Sequence, residues 1–239
     1  MHKRYRKKYD YSYCLGAYPT IKLLEKKPQQ LMEVIVHSQY TPADGVPTTG
    51  EDKIRQLSKI HNIPVRYNDK IIEKLSPKEN CYVIGLFHKY SSRIDNDNHL
   101  VLVNPSNTGN LGTILRTMSS FSVKNLVLIE PAVDIFNPET IRSSMGSLFS
   151  INFSLFANIE TYFRNFPEHH CYLLMTNGIN LLQETKFKKP FSIVFGNEAK
   201  GLPQSFQKYG SSVRIEQSDE TDSLNLAIAV GIVLYQSVR

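Results

Sequence analysis

Short apolar runs recur through the second part of this chain, and segments with helical character separate them. The runs cover residues 100–103, 125–129, 171–176, 191–195 and 213–215. Each is too short to be a buried helix, and such continuous apolar strands are typical of parallel sheets covered on both faces. The predicted helices cover residues 112–120, 138–144, 159–165 and 223–237. The pattern predicts an α/β fold in which helices cover both faces of a mostly parallel sheet.

The loops after these strands are where a ligand site is expected. Ligands of open α/β sheets bind beyond the carboxyl ends of the strands. Asn104 follows one strand, Asn177 and Gly178 follow another, and Gly196 follows a third. We therefore look for chemistry in these loops.

The first part of the chain has the same alternation on a smaller scale. Predicted strands cover residues 31–37, 65–67 and 81–87, and predicted helices cover residues 18–25, 51–61 and 69–75. A loop at 41–50 and a polar stretch at 91–98 interrupt the pattern. These features predict a basic tail at 1–9, a small α/β/α domain at 10–95 and a second domain at 98–239.

The positive charge is confined to the first part of the chain. Residues 1–97 carry 17 Lys and Arg against 11 Asp and Glu, whereas residues 98–239 carry 11 of each. Tyrosines are interleaved with the basic residues of the tail, and this mixture suits a phosphate backbone with unpaired bases. A solvated, frayed terminus is the alternative. The candidate nucleic-acid contacts in the tail are Lys3, Arg4, Arg6, Lys7 and Lys8.

Composition argues against several classes of protein. The three cysteines are far apart and odd in number, which disfavours a disulfide scaffold and favours a reducing compartment. The longest apolar run, at 224–235, is too short to cross a membrane, and the first residues do not form a secretory signal. We expect a cytoplasmic protein with no membrane segment and no metal site.

The first chemical motif is Asn104-Pro-Ser-Asn-Thr-Gly-Asn-Leu-Gly-Thr-Ile-Leu-Arg116, which joins a strand to a helix. Such a junction can bind an anion through free backbone N–H groups. It lacks both GxGxxG and the lysine of a Walker loop, which disfavours a dinucleotide oxidoreductase. With Asn110 in the loop and Arg116 in the helix, we expect both side chains to face one pocket. A turn residue and a surface cation are the alternatives.

Two more motifs follow further along the chain. In Phe195-Gly-Asn-Glu-Ala-Lys-Gly-Leu202, a strand runs into a loop bounded by glycines, with Glu198 at its centre. In Asp222-Ser-Leu-Asn-Leu-Ala-Ile-Ala-Val-Gly231, Asp222 or Ser223 can cap a helix, and Asn225 is polar within an apolar run. Each motif alone is compatible with an ordinary turn or a capped core helix.

Taken in order, the motifs resemble those of the SpoU (TrmH-like) family of SPOUT RNA methyltransferases. The matching signatures are Asn110-x-Gly112-x-x-x-Arg116, Gly196-x-Glu198-x-x-Gly201-Leu202, Ser223-Leu224-Asn225 and, more weakly, Arg142-x-Ser144-x-Gly146. Residues 98–239 would be the catalytic domain. Residues 10–95 resemble the ribosomal-protein-like substrate-binding domain that often precedes it.

The resemblance implies an enzyme that uses S-adenosylmethionine, without a metal, to methylate a ribose 2′-hydroxyl of rRNA or tRNA. It also implies a trefoil knot in the C-terminal part of the sheet and a homodimer with each active site near the interface. A non-catalytic RNA-binding protein or a base methyltransferase on the same scaffold is the alternative function.

The resemblance further implies site residues. Arg116 takes the catalytic position, and the residues around it are Asn110, Glu198, Ser223 and Asn225. Together with the strand-end loops, it implies a cofactor site made of Thr176, Asn177, Gly178, Phe195, Gly196, Asn197, Glu198, Gly201, Leu202, Ile215, Gln217, Ser223, Leu224 and Asn225. Lys22 and Arg142 join the tail as candidate RNA contacts.

Overall fold

The computed structural model describes residues 2–40, 50–76, 80–218, 220 and 223–238. Up to residue 90 the elements are β1 (Tyr11–Leu15), α1 (Ala17–Lys26), β2 (Leu31–Val36), α2 (Gly50–Ile60), β3 (Val65–Tyr67), α3 (Asp69–Leu75) and β4 (Val83–His88). From residue 91 they are β5 (His99–Val103), α4 (Thr108–Ser120), β6 (Asn125–Ile129), α5 (Pro138–Ser143), β7 (Asn152–Phe156), α6 (Ile159–Asn165), β8 (His170–Leu174), β9 (Asn180–Leu181), β10 (Phe191–Phe195), β11 (Ser211–Arg214) and α7 (Leu226–Ser237).

The chain separates into two compact units, and their boundary differs from the predicted one. The first unit comprises residues 1–90 and 134–150, and the second comprises residues 91–133 and 151–239. Segment 134–150, predicted to lie within the second domain, packs with the first unit because its apolar side chains need that core. The ring of Phe87 lies 6.1 Å from that of Phe136 and 5.6 Å from that of Phe149.

The first unit is built on a four-stranded sheet in the order β1-β4-β2-β3. β4 pairs antiparallel with β1 and β2, and β2 pairs parallel with β3. Strand β1 was not predicted, because its tyrosines were assigned to the aromatic arm. Four of its five residues are buried, as expected of a strand that contributes to the core.

The second unit is built on a seven-stranded sheet in the order β7-β6-β5-β10-β8-β11-β9. Every recorded strand pair in it is parallel, and all five residues of both β6 and β10 are buried. This confirms the α/β fold and the doubly covered sheet. Strands β7 and β9 were not predicted. The trefoil knot stays a prediction; the strand order places β10 between β5 and β8, and β11 between β8 and β9.

The starts of helices α1 and α7 show how the unpaired backbone N–H groups of a first helical turn are accommodated. Helix α1 begins at Ala17, one residue before the predicted start, and contains Pro19 in its first turn. A proline is tolerated there because the first N–H groups of a helix lack partners within the helix. Helix α7 begins at Leu226 rather than at 223, because the side chain of Asn225 is its cap. Asp222, the alternative cap, lies outside the described residues, as do residues 41–49 of the predicted loop.

Candidate active site

The loop after β10 is a tight turn that only glycine permits at its first position. A Cβ added to Gly196 would lie 2.1 Å from the carbonyl carbon of Gly201, and Gly201 itself has a φ of +63°. The Gly201 N–H donates to the carbonyl oxygen of Asn197 at 2.9 Å. This closure holds Glu198 in a fixed position beyond the carboxyl end of β10.

The carboxylate of Glu198 joins this turn to the loop after β5. Its Oε2 accepts from the Ser106 N–H at 3.1 Å and from the Ser106 hydroxyl at 2.9 Å. Its Oε1 accepts from the Asn107 N–H at 3.1 Å and from Asn110 Nδ2 at 3.4 Å. Two loops 92 residues apart in sequence are therefore connected by one side chain.

The same hydrogen bonds set the charge of Glu198. Partial burial raises the pKa of the carboxyl, but the bonds from its own backbone N–H, from Ser106 and from Asn107 outweigh burial, and the pKa lies below its usual value. Glu198 is thus ionised at neutral pH, and both of its oxygens are engaged. Such a carboxylate positions loops better than it accepts a substrate proton.

Asn110 links Glu198 to the start of helix α7. Its Nδ2 donates to Glu198, and its Oδ1 accepts from Asn225 Nδ2 at 3.1 Å. The Oδ1 of Asn225 caps α7 by accepting from the N–H groups of Ala227 at 2.9 Å and Ile228 at 3.4 Å. Three of the predicted site residues, Asn110, Glu198 and Asn225, therefore form one hydrogen-bonded chain.

A cavity of about 320 Å³ adjoins this chain at the carboxyl ends of β8, β10 and β11. Of the predicted cofactor residues, those that line it are Thr176, Phe195, Gly196, Asn197, Glu198, Gly201, Ile215, Gln217, Ser223 and Leu224. Ala199, Lys200 and Val213, which lie within the predicted loop segments 195–202 and 213–217, also line it. Sequence reasoning did not select Leu174, Met175, Leu226 and Ala229, which line it as well. Their proximity to the predicted loops, one or two residues away in most cases, was the available signal.

Four predicted cofactor residues lie outside the cavity lining. Leu202 is buried in the core beneath the loop, and Asn225 stands beside the cavity as the α7 cap. Gly178 lies where its loop crosses the end of β11: a Cβ there would meet the Val213 carbonyl carbon at 2.5 Å. Asn177, which precedes it, is exposed. Gly178 thus allows the crossing rather than contacting the cavity.

Arg116 lies on the exposed side of α4. It is six residues beyond Asn110, and because α4 already begins at Thr108, both residues are helical. Six residues amount to about 600° of rotation, so the Cα–Cβ directions of the two residues differ by about 120°. Arg116 does not line the cavity described above, and a pocket shared by the two side chains stays a prediction.

The candidate RNA contacts all lie in the first unit. The five basic side chains of the tail are exposed, and the tail is held to the unit by bonds to its backbone: Tyr13 Oη donates to the Lys3 carbonyl at 2.7 Å, and Lys89 Nζ donates to the Lys7 carbonyl at 2.8 Å. Lys22 pairs with Glu25 at 3.0 Å. Arg142 is half-buried on α5.

Among the described residues, no group of three or more His, Cys, Asp or Glu is placed to hold a metal ion, and no helix is long and apolar enough to cross a membrane. The three cysteines are free and buried.

Comparison with known families bears directly on these motifs. The model of the SpoU rRNA Methylase family matches residues 97–235, which is 139 of 239 residues. The chain belongs to this family. The match covers the signatures that contain Asn110, Glu198 and Asn225, so the resemblance inferred from them is confirmed.

Individual SpoU relatives agree with the family match. An uncharacterized tRNA/rRNA methyltransferase of Synechocystis is 34% identical over 143 residues, which is 59% of this chain and 52% of that protein. A 23S rRNA (uridine(2479)-2′-O)-methyltransferase of Streptomyces viridochromogenes is 28% identical over 145 residues, or 56% of this chain and 50% of that protein. The chain thus spans about half the length of these relatives.

The fold is shared over nearly the whole chain. The structure of an AdoMet-bound rRNA methyltransferase of Sinorhizobium meliloti superposes with a TM-score of 0.78 at 24% identity. The match covers 95% of this chain and 86% of that one. At this identity the likeness concerns the fold, and it includes the first unit.

Proposed function

We propose that this protein transfers a methyl group from S-adenosylmethionine to a ribose 2′-hydroxyl of rRNA or tRNA. The observation that carries the proposal is the hydrogen-bonded chain of Glu198, Asn110 and Asn225 beside the cavity in a SpoU family member. Arg116, Glu198 and Asn225 are all present, which disfavours a protein that only binds RNA.

The cavity has the chemistry to hold S-adenosylmethionine. The apolar side chains of Ile215, Leu224 and Leu226 form one part of its lining. The Oε1 atom of Gln217 is buried and has no hydrogen-bond partner among the described residues, so it is available to a donor such as the cofactor's amino groups. The size is at the lower end of the range that small-molecule pockets occupy, roughly 300–1,000 Å³.

The protein's own contribution to the reaction is positioning and charge stabilisation. When bound, S-adenosylmethionine supplies an activated methyl group on its sulfonium. The turn that contains Glu198 fixes the cavity wall. Asn110 and Asn225 hold the starts of α4 and α7 in a fixed position relative to that turn. A ribose hydroxyl is a weak nucleophile, so holding it in line and stabilising its developing negative charge supply the rate enhancement. The Arg116 guanidinium is the cation assigned to that charge.

A homodimer completes this arrangement. Exposed apolar side chains form one stripe on α7: Ile228 is 56% exposed, Ile232 39% and Tyr235 47%. These positions, at i, i+4 and i+7, share one helix face. An apolar helix face is covered in an isologous contact when a twofold mate presents the same face. Because Arg116 does not line the cavity of its own chain, we infer that it serves the partner's cavity.

The first unit supplies RNA affinity, in the cytoplasm. It holds the exposed basic side chains of the tail, whereas residues 98–239 have no net charge. Basic groups that neutralise phosphates bind RNA independently of sequence. This division of roles leaves the choice of nucleotide to the second unit.

Two measurements test the proposed function. Calorimetry with the full-length protein should show S-adenosylmethionine binding that EDTA does not change. Ribose methylation mapped across rRNA and tRNA, in strains with and without this gene, should show one 2′-O-methylated nucleotide missing from the deletion strain. Restoration of that methyl group by the purified protein completes the test. Identical maps from the two strains would contradict the proposal.

A further inference from the structure

A second cleft opens on the other side of the turn that contains Glu198. It has a volume of about 620 Å³ and lies at the carboxyl ends of β5, β6 and β7. Asn197, Lys200 and Gly201 line both this cleft and the cofactor cavity, so one turn separates the two. We refer to this second space as the edge cleft.

The edge cleft is coupled to the site through Ser106. This residue lines the cleft and also donates its N–H and its hydroxyl to Glu198. On the shared wall, Asn197 Nδ2 donates to the Asn104 carbonyl at 2.8 Å, while its Oδ1 accepts from the Ala199 N–H at 3.0 Å. The shared wall is therefore rigid. A molecule that reaches across it occupies the cofactor cavity and the edge cleft in a fixed relative geometry.

The lining of the edge cleft suits an aromatic heterocycle. The half-buried ring of Phe206 and the flat apolar surfaces of Pro105, Pro131 and Pro203 offer contacts to the face of a ring. Aromatic side chains are the usual stacking partners of unpaired bases. The volume of the cleft lies within the range of small-molecule sites, roughly 300–1,000 Å³.

The positive charge of the edge cleft lies near the cofactor cavity, and the negative charges lie further from it. Lys200 is on the shared wall, after β10, whereas Glu130 follows β6 and Glu160 belongs to the helix after β7. Strands lie about 4.8 Å apart, so the two glutamates are about 10–14 Å from β10 across the sheet. A cation thus lies near the expected ribose and phosphate, and acceptors lie further out. Glu160 Oε1 already accepts from the Tyr209 hydroxyl, so the acceptors left for a ligand at the far wall are Glu160 Oε2 and the Glu130 carboxylate. Their negative charge disfavours a phosphate there and favours N–H donors.

We propose that the edge cleft holds the base of the nucleotide whose ribose is methylated, and that Glu130 and Glu160 select that base by its N–H donors. The proposal rests on the proposed function. A ribose hydroxyl presented to the cofactor cavity carries its base across the shared wall, and an unstacked nucleotide needs a pocket of this kind. Guanine, adenine and cytosine carry an amino group on the pairing edge. Uracil has a single N–H between two carbonyl oxygens, which the carboxylates repel, so it is disfavoured.

The test uses variants of the full-length protein with matched controls. Glu130→Gln combined with Glu160→Gln removes the charge of the two acceptors, and Phe206→Leu removes the aromatic face but keeps apolar volume. The controls are Glu168→Gln, an exposed acid outside the cleft, and Phe166→Leu, a partly buried ring packed against the same core. Urea unfolding confirms that each variant is folded.

The first readout is binding of free nucleosides, measured by saturation-transfer NMR with the cofactor cavity saturated by S-adenosylhomocysteine. Guanosine and cytidine should contact the wild-type protein and both controls more strongly than uridine does. The glutamine pair should lose this preference, and Phe206→Leu should weaken contact with every nucleoside. Equal contact by uridine and guanosine in the wild-type protein would overturn the proposal.

The second readout is methyl transfer to the RNA identified by ribose mapping. KM for RNA should rise about tenfold or more in each cleft variant, a change typical of one lost base contact. The affinity for S-adenosylmethionine should stay within about twofold. If the wild-type protein methylates no ribose, the proposed function fails. If it methylates a ribose but the cleft variants behave like their controls, or the target is a uridine, only the edge-cleft proposal fails.

Discussion

The side chains of Asn225 and Asn110, 115 positions apart in the chain, meet in a hydrogen bond of 3.1 Å between Nδ2 of the first and Oδ1 of the second. This bond joins the start of α7 to the first turn of α4. The Oδ1 of the same Asn225 caps α7. One amide thus serves the stability of a helix with its oxygen and the geometry of the site with its nitrogen.

These two roles of Asn225 can be separated by substitution. Asn225→Asp keeps the capping oxygen but loses the Nδ2 donor and turns a carboxylate toward Asn110. We expect stability within about 0.5 kcal/mol of the wild type, because Asp and Asn cap equally well, together with a severe loss of methyl transfer. Asn225→Ala should lose activity and also about 1 kcal/mol of stability. Urea unfolding and a methyl-transfer assay measure the two effects. Full activity in the Asp variant would show that the bond to Asn110 is dispensable.

Arg116 should act on the ribose hydroxyl and not on the cofactor. Arg116→Ala should leave the affinity for S-adenosylmethionine nearly unchanged but lower kcat by roughly 10²–10³-fold, as expected for the loss of one charge-stabilising group. Arg116→Lys should restore only part of the rate, because a point charge does not reproduce the planar fork. Lys124→Ala, which removes another exposed cation of the same unit, is the control. Calorimetry and single-turnover kinetics separate binding from chemistry.

If Arg116 acts in the partner's cavity, two different inactive variants should restore activity when they are mixed in one dimer. One chain carries Arg116→Ala, and the other carries Leu224→Arg, which places a long cation in the cavity. If Arg116 acts in the partner's cavity, the mixed dimer has one intact site and about half of the activity per wild-type dimer. If each chain is self-sufficient, the mixture remains inactive.

The α7 stripe should control assembly. Ile232→Lys places a charge in the centre of the exposed apolar face and should convert the dimer to a monomer in light scattering at micromolar concentration. Methyl transfer should fall with dimerisation. Lys124→Gln is a suitable control, because Lys124 is exposed and does not belong to α7. A fully active monomer would refute the shared site.

The basic tail should contribute affinity without affecting the cofactor. Replacing Lys3, Arg4, Arg6, Lys7 and Lys8 with Gln keeps the backbone carbonyls that anchor the tail. We expect weaker RNA binding and a shallower dependence of affinity on salt, by up to about 0.7 in slope per lost contact to single-stranded RNA. Calorimetry should show unchanged binding of S-adenosylmethionine. Deleting residues 1–95 is a poorer test, because segment 134–150 would lose the core against which it packs.

Acid should destabilise the second unit through His99. Burial lowers the pKa of this imidazole to about 4, with the neighbouring His169 ring acting in the same direction. Its Nε2 donates to the Asp95 carbonyl at 2.7 Å, so its Nδ1 accepts from Tyr162 Oη at 2.8 Å. A second proton would reverse that bond and turn the Tyr162 hydroxyl hydrogen toward Ser192. The unfolded chain binds the proton at about pH 6.5.

The contribution of His99 to stability is therefore complete above about pH 6.5 and is lost as the pH falls toward 4, by up to about 3 kcal/mol. His99→Gln should flatten this part of the curve of unfolding free energy against pH. His170→Gln, at the exposed first residue of β8, is the control. An unchanged slope in His99→Gln would assign the acid sensitivity to other groups.

The sequence by itself determined the central strands, the glycine-bounded turn and the family of this protein. The runs at 125–129 and 191–195 have the same bounds as β6 and β10, because a strand buried on both faces is apolar at nearly every position. Asn125 and Ser192 are the buried polar exceptions. The glycines of the Glu198 turn were identifiable because close backbone contact leaves no room for a Cβ. The motif order identified the SpoU family and most of the cavity lining.

Tertiary structure decided what depends on distant segments. The tyrosines of β1 look like an exposed arm until β4 pairs with them, and segment 134–150 leaves the second unit because its apolar side chains find a core in the first. The angle between Asn110 and Arg116 depended on where α4 starts, since the rotation between two side chains is set by helix geometry only when both residues are helical. The edge cleft could not be inferred from the chain, because its walls come from β5, β6 and β7 and from the turn after β10. Local sequence specifies which residues are strands and turns, but only the packed sheet brings those turns together.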